Sequence, residues 1–200
     1  MTKQESANEY TKYIDEHIDN VEKAFNEYAP VLCSLLVMYD NGYTSKDDLH
    51  NDPSVYDEIN QLYIQLSKQI QSHDLSKYST EEFDLYRRKF YKADGEEKLS
   101  DYEFNKAWLH HIHNNPHHPE YYIYTDYDNH CETMVYEMPN RYIAEMILDW
   151  IAMSYKFNDK VYNYWKKEGG HKALIMHDNV VKKVDYIMER LEYTDKKFEK

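Results

Sequence analysis

The chain has 200 residues, 42% hydrophobic and 30% charged, with only 4 Gly and 5 Pro; this fits one globular domain and excludes a disordered or collagen-like chain. A formal net charge of -13 argues against wrapping a nucleic acid duplex, because phosphates repel an acidic surface, yet it allows a small phosphorylated ligand held at a local cation. Cys33 and Cys131 lack CxxC spacing, MTKQESANEYTKY has no apolar leader, and no uncharged stretch reaches bilayer length, so the expectation is a cytoplasmic protein with no disulfide framework and no membrane partner.

In chain order, Ile14, Ile18, Val21, Phe25 and Tyr28 recur at helical spacing and predict a helix over 7–28. Pro30 predicts a break, followed by a second short helix through Met38 that buries Cys33. Asn41-Gly42 is a turn signal in the polar stretch before Pro53. Asp52-Pro53 reads as an N-cap with Pro at the first helical position, and Ile59, Leu62, Tyr63, Leu66 and Ile70 carry that helix onward to about residue 72. Ser79 with Glu82, and Ser100 with Glu103, read as capping boxes that open helices over 80–91 and 101–114. Residues 115–136, rich in His, Tyr, Asp and Pro, read as an irregular loop. Helices over 140–156, 159–168 and 179–192 follow, the last capped by Asp178 or Asn179. No repeat or Pro/Gly-rich linker divides the chain, so residues 1–200 are expected to form one all-α helical bundle with an irregular His/Tyr-rich loop.

Histidine carries the chemical signal. Of 11 histidines, five fall between residues 110 and 118. Neutral imidazole offers a lone pair near pH 7, and a neighbouring carboxylate adds the charge that holds a divalent cation. The sharpest motif is His73-Asp74-Leu75-Ser76-Lys77, at the end of the 53–72 helix, where two adjacent ligands can turn toward one ion and Lys77 can pair with a phosphate. A second His-Asp pair, His177-Asp178, reads instead as a helix cap beside a surface histidine. His110 and His111 point about 100° apart on a helix, so one of them is expected to face the site. His117 and His118 are alternative ligands, with the choice between them open. Asp149 sits among Ile147, Leu148, Ile151 and Ala152, where a carboxylate is costly unless paired or metal-bound. His17 flanks the apolar stripe of the first helix. Arg87 and Arg88 are candidate phosphate ligands, since Arg matches oxyanions bidentately. Trp108, Trp150 and Trp165 are expected in the core, and Glu120-Tyr121 at a pocket mouth.

The order His17, His73-Asp74, the histidines at 110/111 and 117/118, and Asp149 resembles the HD superfamily of metal-dependent phosphohydrolases. There a His on an early helix, a His-Asp pair and a late Asp bind metal, and two-metal members add histidines between the pair and the last Asp. HDLSK is similar to the HDxxK form of that motif. AWLHHIHNNPHHPEYY followed by EMILDW also looks like a family of uncharacterised phage and low-GC bacterial proteins. The resemblance spans residues 13–155 and departs from the superfamily pattern twice. The long spacing from His17 to His73 requires an insertion around 40–55, and Lys77 stands where some nucleotidases place an acidic residue.

The resemblance implies a phosphohydrolase acting on a nucleotide or other small phosphate ester, with one or two divalent ions (Mn, Fe, Co, Ni, Zn or Mg). Asp74 and Lys77 would be its catalytic residues; Lys77, Arg87 and Arg88 would bind substrate. Two alternatives use the same residues. One is a di-iron oxygenase holding its metals on the six-ligand set. The other is a non-enzymatic acidic binding protein of phage type, in which the metal holds the fold together. The sequence assigns no oligomeric state.

Overall fold

The computed structural model describes residues 1–45, 52–128, 130–167 and 174–198. Its helices are α1 (Lys3–Asp40), α2 (Pro53–Ile70), α3 (Phe83–Phe90), α4 (Asp101–Asn114), α5 (Asn140–Phe157), α6 (Val161–Lys166) and α7 (Asp178–Phe198). Short 3-10 turns cover Leu75–Tyr78 and Pro119–Tyr122, and one antiparallel hairpin pairs β1 (Ile123–Asp126) with β2 (Glu132–Val135). The result is the expected all-α single-domain fold. No described helix is long and apolar enough to cross a membrane.

The spine is α1, capped at its start by reciprocal bonds between Thr2 and Glu5. It packs chiefly on α5 and α2. The predicted break at Pro30 does not occur: α1 runs through Pro30 unbroken. Pro30 is exposed, while Ala29, Leu32, Cys33 and Leu36 on the opposite face are buried. The carbonyl that Pro leaves without an N–H partner therefore faces water, and burial of the apolar face carries the helix past it.

Two apolar clusters result. The larger one joins α1, α2, α5, α6 and α7 through residues such as Leu36, Leu66, Ile147, Trp165 and Ile187. The smaller one joins the start of α1 to α3 and α4 through Tyr10, Ile14, Tyr86 and Ala107. On α1, His17 falls between Ile14 of one cluster and Val21 of the other. It lies within the buried stripe rather than beside it, because the buried face follows Tyr10, Ile14, His17 and Val21, with Ile18 only half-buried.

Other expectations hold or shift locally. Asp52 caps α2 by accepting from Ser54 N–H, with Pro53 at the first position. Ser100 and Glu103 form the predicted capping box of α4. Asn41-Gly42 makes the predicted turn, with Gly42 at φ +68. The expected insertion at 40–55 falls partly on residues 46–51, which lie outside the described residues.

Three local readings are corrected. Ser79 and Glu82 form no capping box; α3 begins only at Phe83, because the Glu82 carboxylate turns inward to two imidazoles. The 115–136 segment is less irregular than expected, since Ile123, Tyr124 and Thr125 oppose Val135, Met134 and Thr133 as β-formers in register. Asp178 is the first residue of α7 and not its cap; the His177 ring accepts the Asn179 N–H instead. In addition, α6 is shorter than the predicted 159–168 helix, and α7 extends past residue 192.

Candidate metal centre

Four segments deliver the site to the junction of the two apolar clusters. His17 comes from α1. His73 and Asp74 follow α2, where Asp74 adopts the left-handed conformation at φ 57. Asp tolerates this conformation better than most residues, and the sharp reversal brings both side chains of the pair to one point. His111 comes from the last turn of α4, with His117 and His118 from the connection that follows it. Asp149 and Glu145, one helical turn apart, come from α5.

The atoms converge in two sets that meet on Asp74. Around Asp74 Oδ2, His17 Nε2 lies at 3.3 Å and His73 Nε2 at 3.6 Å. The two imidazole nitrogens are 3.4 Å apart, and Asp149 Oδ1 is 3.2 Å from His17 Nε2. Around Asp74 Oδ1, His111 Nε2 lies at 3.4 Å and His117 Nε2 at 3.7 Å, with His118 Nε2 2.9 Å from His111 Nε2. Donor atoms bound to one ion at about 2.0–2.2 Å must sit roughly 3 Å from each other, which is the spacing seen here.

Two of these atoms lack any hydrogen-bond partner among the described residues. Asp74 Oδ1 and His117 Nε2 are buried, close together and unpaired. Buried polar groups are rarely left so, and a cation between them would satisfy both. The donor set and these orphaned atoms fit a divalent ion, and groups within the cluster can hold one: His17 with His73 and Asp149, or Asp74 with His117 and His118.

The far side of each ring is braced. His73 Nδ1 is 2.9 Å from Glu145 Oε1, and His117 Nδ1 approaches the same oxygen at 3.4 Å. Gln69 donates to the other Glu145 oxygen. His111 Nδ1 is 2.9 Å from Glu82 Oε2, whose partner oxygen takes His110 Nδ1 at 2.7 Å. Carboxylates behind imidazoles fix the tautomer and aim the opposite nitrogen into the centre, as outer partners of metal-binding histidines do. A third grouping, His73 with His117 and Glu145, can also hold an ion, but its geometry serves equally as this brace.

The electrostatics follow from burial and pairing. For Asp74 and Asp149, burial alone raises the carboxyl, but the surrounding positive groups win and hold both below the ordinary range: Lys77, His73 and His17 for Asp74, chiefly His17 for Asp149. Burial likewise opposes ionisation of Glu145, yet its bonds to His117 and His73 hold it at about 2. His118 is pushed down to about 2 by burial and by the His117 and His111 charges, so its lone pair stays available. Lys77 Nζ sits 2.5 Å from Asp74 Oδ2 and is buried; burial lowers its pKa, but the Asp74 charge raises it further.

The outcome for the expected residues is mixed. His17, His73, Asp74, Lys77, His111, His117, His118 and Asp149 are brought together, and His117 and His118 both face the centre. His110 is not in the centre: it is half-buried on the outer side, bound to Glu82. Arg87 is corrected outright, since its guanidinium is buried against Asp84, Glu96 and Ser6, tying α1 to α3 and the chain beyond it. The charge of Arg88 helps lower the Glu103 carboxyl of α4, and Arg88 makes no hydrogen bond or ion pair with the cluster among the described residues. Trp165 is core, and Trp150 and Trp108 pack against the larger and smaller apolar clusters; these two also line a cavity of about 440 Å³ that His117, His118 and Asp149 border. The centre thus opens onto a space of ligand size. Glu82 and Glu145 were not among the candidate ligands. Only the i, i+4 spacing of Glu145 to Asp149 signalled one of them.

A family model described as a family of unknown function (DUF5662) matches residues 6–190. Comparison with curated proteins and with solved structures finds no match.

Two outcomes are expected. Glu82→Gln should weaken metal binding by about 10–100-fold while leaving helix content unchanged, as measured by metal titration and circular dichroism; wild-type affinity would contradict the bracing role. The second concerns His17. Burial pulls its imidazole down, but bonds to Asp149 and Asp74 outweigh it and hold it at about 9, above the ordinary 6.5. A raised value stabilises the metal-free fold below pH 6.5, and that contribution is lost as pH rises through 9. A cation on the same nitrogen expels the proton. The thermal midpoint of metal-free protein should therefore fall between pH 6.5 and 9. His17→Gln should flatten that fall, and the metal-loaded midpoint should not follow it. A flat or rising metal-free curve would contradict this.

Proposed function

The chain belongs to the DUF5662 family, and from the chemistry of its centre we propose that it is a metal-dependent phosphohydrolase of the HD type, acting on a small phosphate ester. The observation that carries the reading is Asp74, whose two oxygens face separate sets of imidazoles while Lys77 sits on one of them, beside a ligand-sized cavity. In this reading His17, His73, Asp74 and Asp149 would hold one divalent ion, and Asp74, His111, His117 and His118 would hold another.

Divalent ions bound there would polarise a phosphoryl oxygen and supply water of lowered pKa near neutral pH. The remaining work belongs to the protein. Glu145 and Glu82 hold three rings in one tautomer, so their Nε2 lone pairs need no reorganisation as charge moves. Lys77 carries a fixed positive charge beside Asp74, suited to an equatorial phosphoryl oxygen as negative charge grows. The apolar walls around Trp108 and Trp150 would lower the polarity at the reacting end once a substrate fills the cavity.

A second reading draws on the same side chains. His17, His73, Asp74, His111, one of His117 and His118, and Asp149 make up the six-ligand set of di-iron oxygenases in this superfamily, and an apolar cavity suits an apolar substrate. Iron content with oxygen consumption would favour that reading over hydrolysis.

The test is phosphate release from a panel of nucleotides and aryl phosphates, with the protein loaded in turn with manganese, cobalt, nickel and magnesium. Metal-dependent turnover is expected. Lys77→Met should lower it by about 10²–10³-fold, and Asp74→Asn should abolish it with the metal-free fold retained. No phosphate released from any ester, with metal demonstrably bound, would contradict the proposal.

A further inference from the structure

Glu120 lines the same cavity as His117, His118 and Asp149. It follows Pro119 in the 3-10 turn after the histidine connection, so its backbone position is fixed one step from the metal centre. Its Oε2 is buried and has no hydrogen-bond partner among the described residues. Oε2 is itself shielded from the cavity, but the half-buried side chain as a whole has no hydrogen bond or ion pair among the described residues, and a carboxylate without a partner at the edge of an open cavity calls for a donor, on its accessible side, from whatever fills the cavity. The walls around it are mostly apolar. Trp108, Met146, Trp150, Met153 and Phe157 present rings and thioethers, and among the described residues Lys167 is the one Lys or Arg lining the space. Lys167 is already held by Asp159 at 2.8 Å.

Three features of the cavity select its occupant. The bordering imidazoles and Asp149 give one end suited to a metal-anchored phosphate. The aromatic and thioether walls suit a flat apolar body. Glu120 adds negative charge, and the one lining Lys is already taken by Asp159, which together disfavour a second or third phosphate. From these we infer that Glu120 is a specificity-determining residue. It reads an N–H or O–H donor on the flat apolar body of a substrate that carries a single phosphate. The inference rests on the phosphohydrolase reading for the anchoring of that phosphate.

Binding of non-hydrolysable probes separates the two. Methylphosphonate, phenylphosphonate, and 3- and 4-aminophenylphosphonate would be titrated by calorimetry into manganese-loaded and metal-free protein, and into Glu120→Met, an isosteric change without an acceptor. Phenylphosphonate should bind more tightly than methylphosphonate. At least one amino probe should gain a further tenfold or so, the scale of one hydrogen bond to a charged group. Glu120→Met should erase that last gain and leave phenylphosphonate binding within about twofold. An amino probe that gains nothing, or a gain that survives in Glu120→Met, overturns the inference while metal-dependent phenylphosphonate binding leaves the phosphohydrolase reading standing. A Glu120-dependent gain that is the same with and without manganese has the opposite meaning: the cavity reads the donor, and the phosphate is not anchored by the centre. Failure of every probe to bind overturns the inference.

Discussion

Asp74, Glu82, Glu145 and Asp149 are withdrawn from water around a knot of imidazoles, and Lys77 is the one ammonium group drawn in against them among the described residues. Burying a carboxylate costs several kcal/mol unless it is paired. Here each charge is answered by a ring nitrogen or by Lys77, and protons on groups such as His17 keep the balance in the metal-free chain. Within this knot, Asp74 Oδ1 and His117 Nε2 make no hydrogen bond among the described residues, and they lie 3.7 Å apart. That shortfall of positive charge at one point is what gives the surrounding structure its meaning.

The scaffold supplies rigidity where the charge is concentrated. Helix α1 carries His17 within a continuous apolar stripe, and α5 carries Glu145 and Asp149 among fully buried Met146, Ile147 and Leu148. Side chains on such helices have little freedom, since their neighbours are packed to interior density. The histidines from the less regular connection are held differently. His117 and His118 stand between Pro116 and Pro119, and Trp108 lies against the rings of His111 and His118. One half of the centre is thus fixed by helix packing and the other by prolines, rings and the Glu82 and Glu145 braces. That asymmetry leaves the second half open to the cavity.

Much of this was legible in the sequence, and the misses share a physical cause. The candidate residues were found because each stood out against its local pattern: His17 beside an apolar stripe, Asp149 in an apolar run, the His-Asp pair at a helix end. Periodicity placed the helices, but it could not tell which side of α4 faces inward, so His110 and His111 stayed equivalent until packing separated them. Adjacent His117 and His118 both reach the centre because the turn they occupy is not helical, and no helical rule applies to them. Glu82 was hidden because Ser-x-x-Glu serves equally well as a capping box; only the tertiary position of α4 draws its carboxylate inward. Arg87 erred the other way. A guanidinium near the motif suggests an anion site, yet Asp84 sits three residues before it on the same helix, and the fold adds Glu96 and Ser6 to close the guanidinium off. Pro30 failed as a breaker because its exposure, and not its identity, decided the outcome.

The claim beneath all of these is that Asp74 joins two cation positions. Anomalous difference maps from crystals grown with manganese measure it directly. Two peaks are predicted, one enclosed by His17, His73, Asp74 and Asp149, and the other by Asp74, His111, His117 and His118. A single peak seated on Glu145, or no peak at Asp74 from protein that binds manganese in solution, would contradict it.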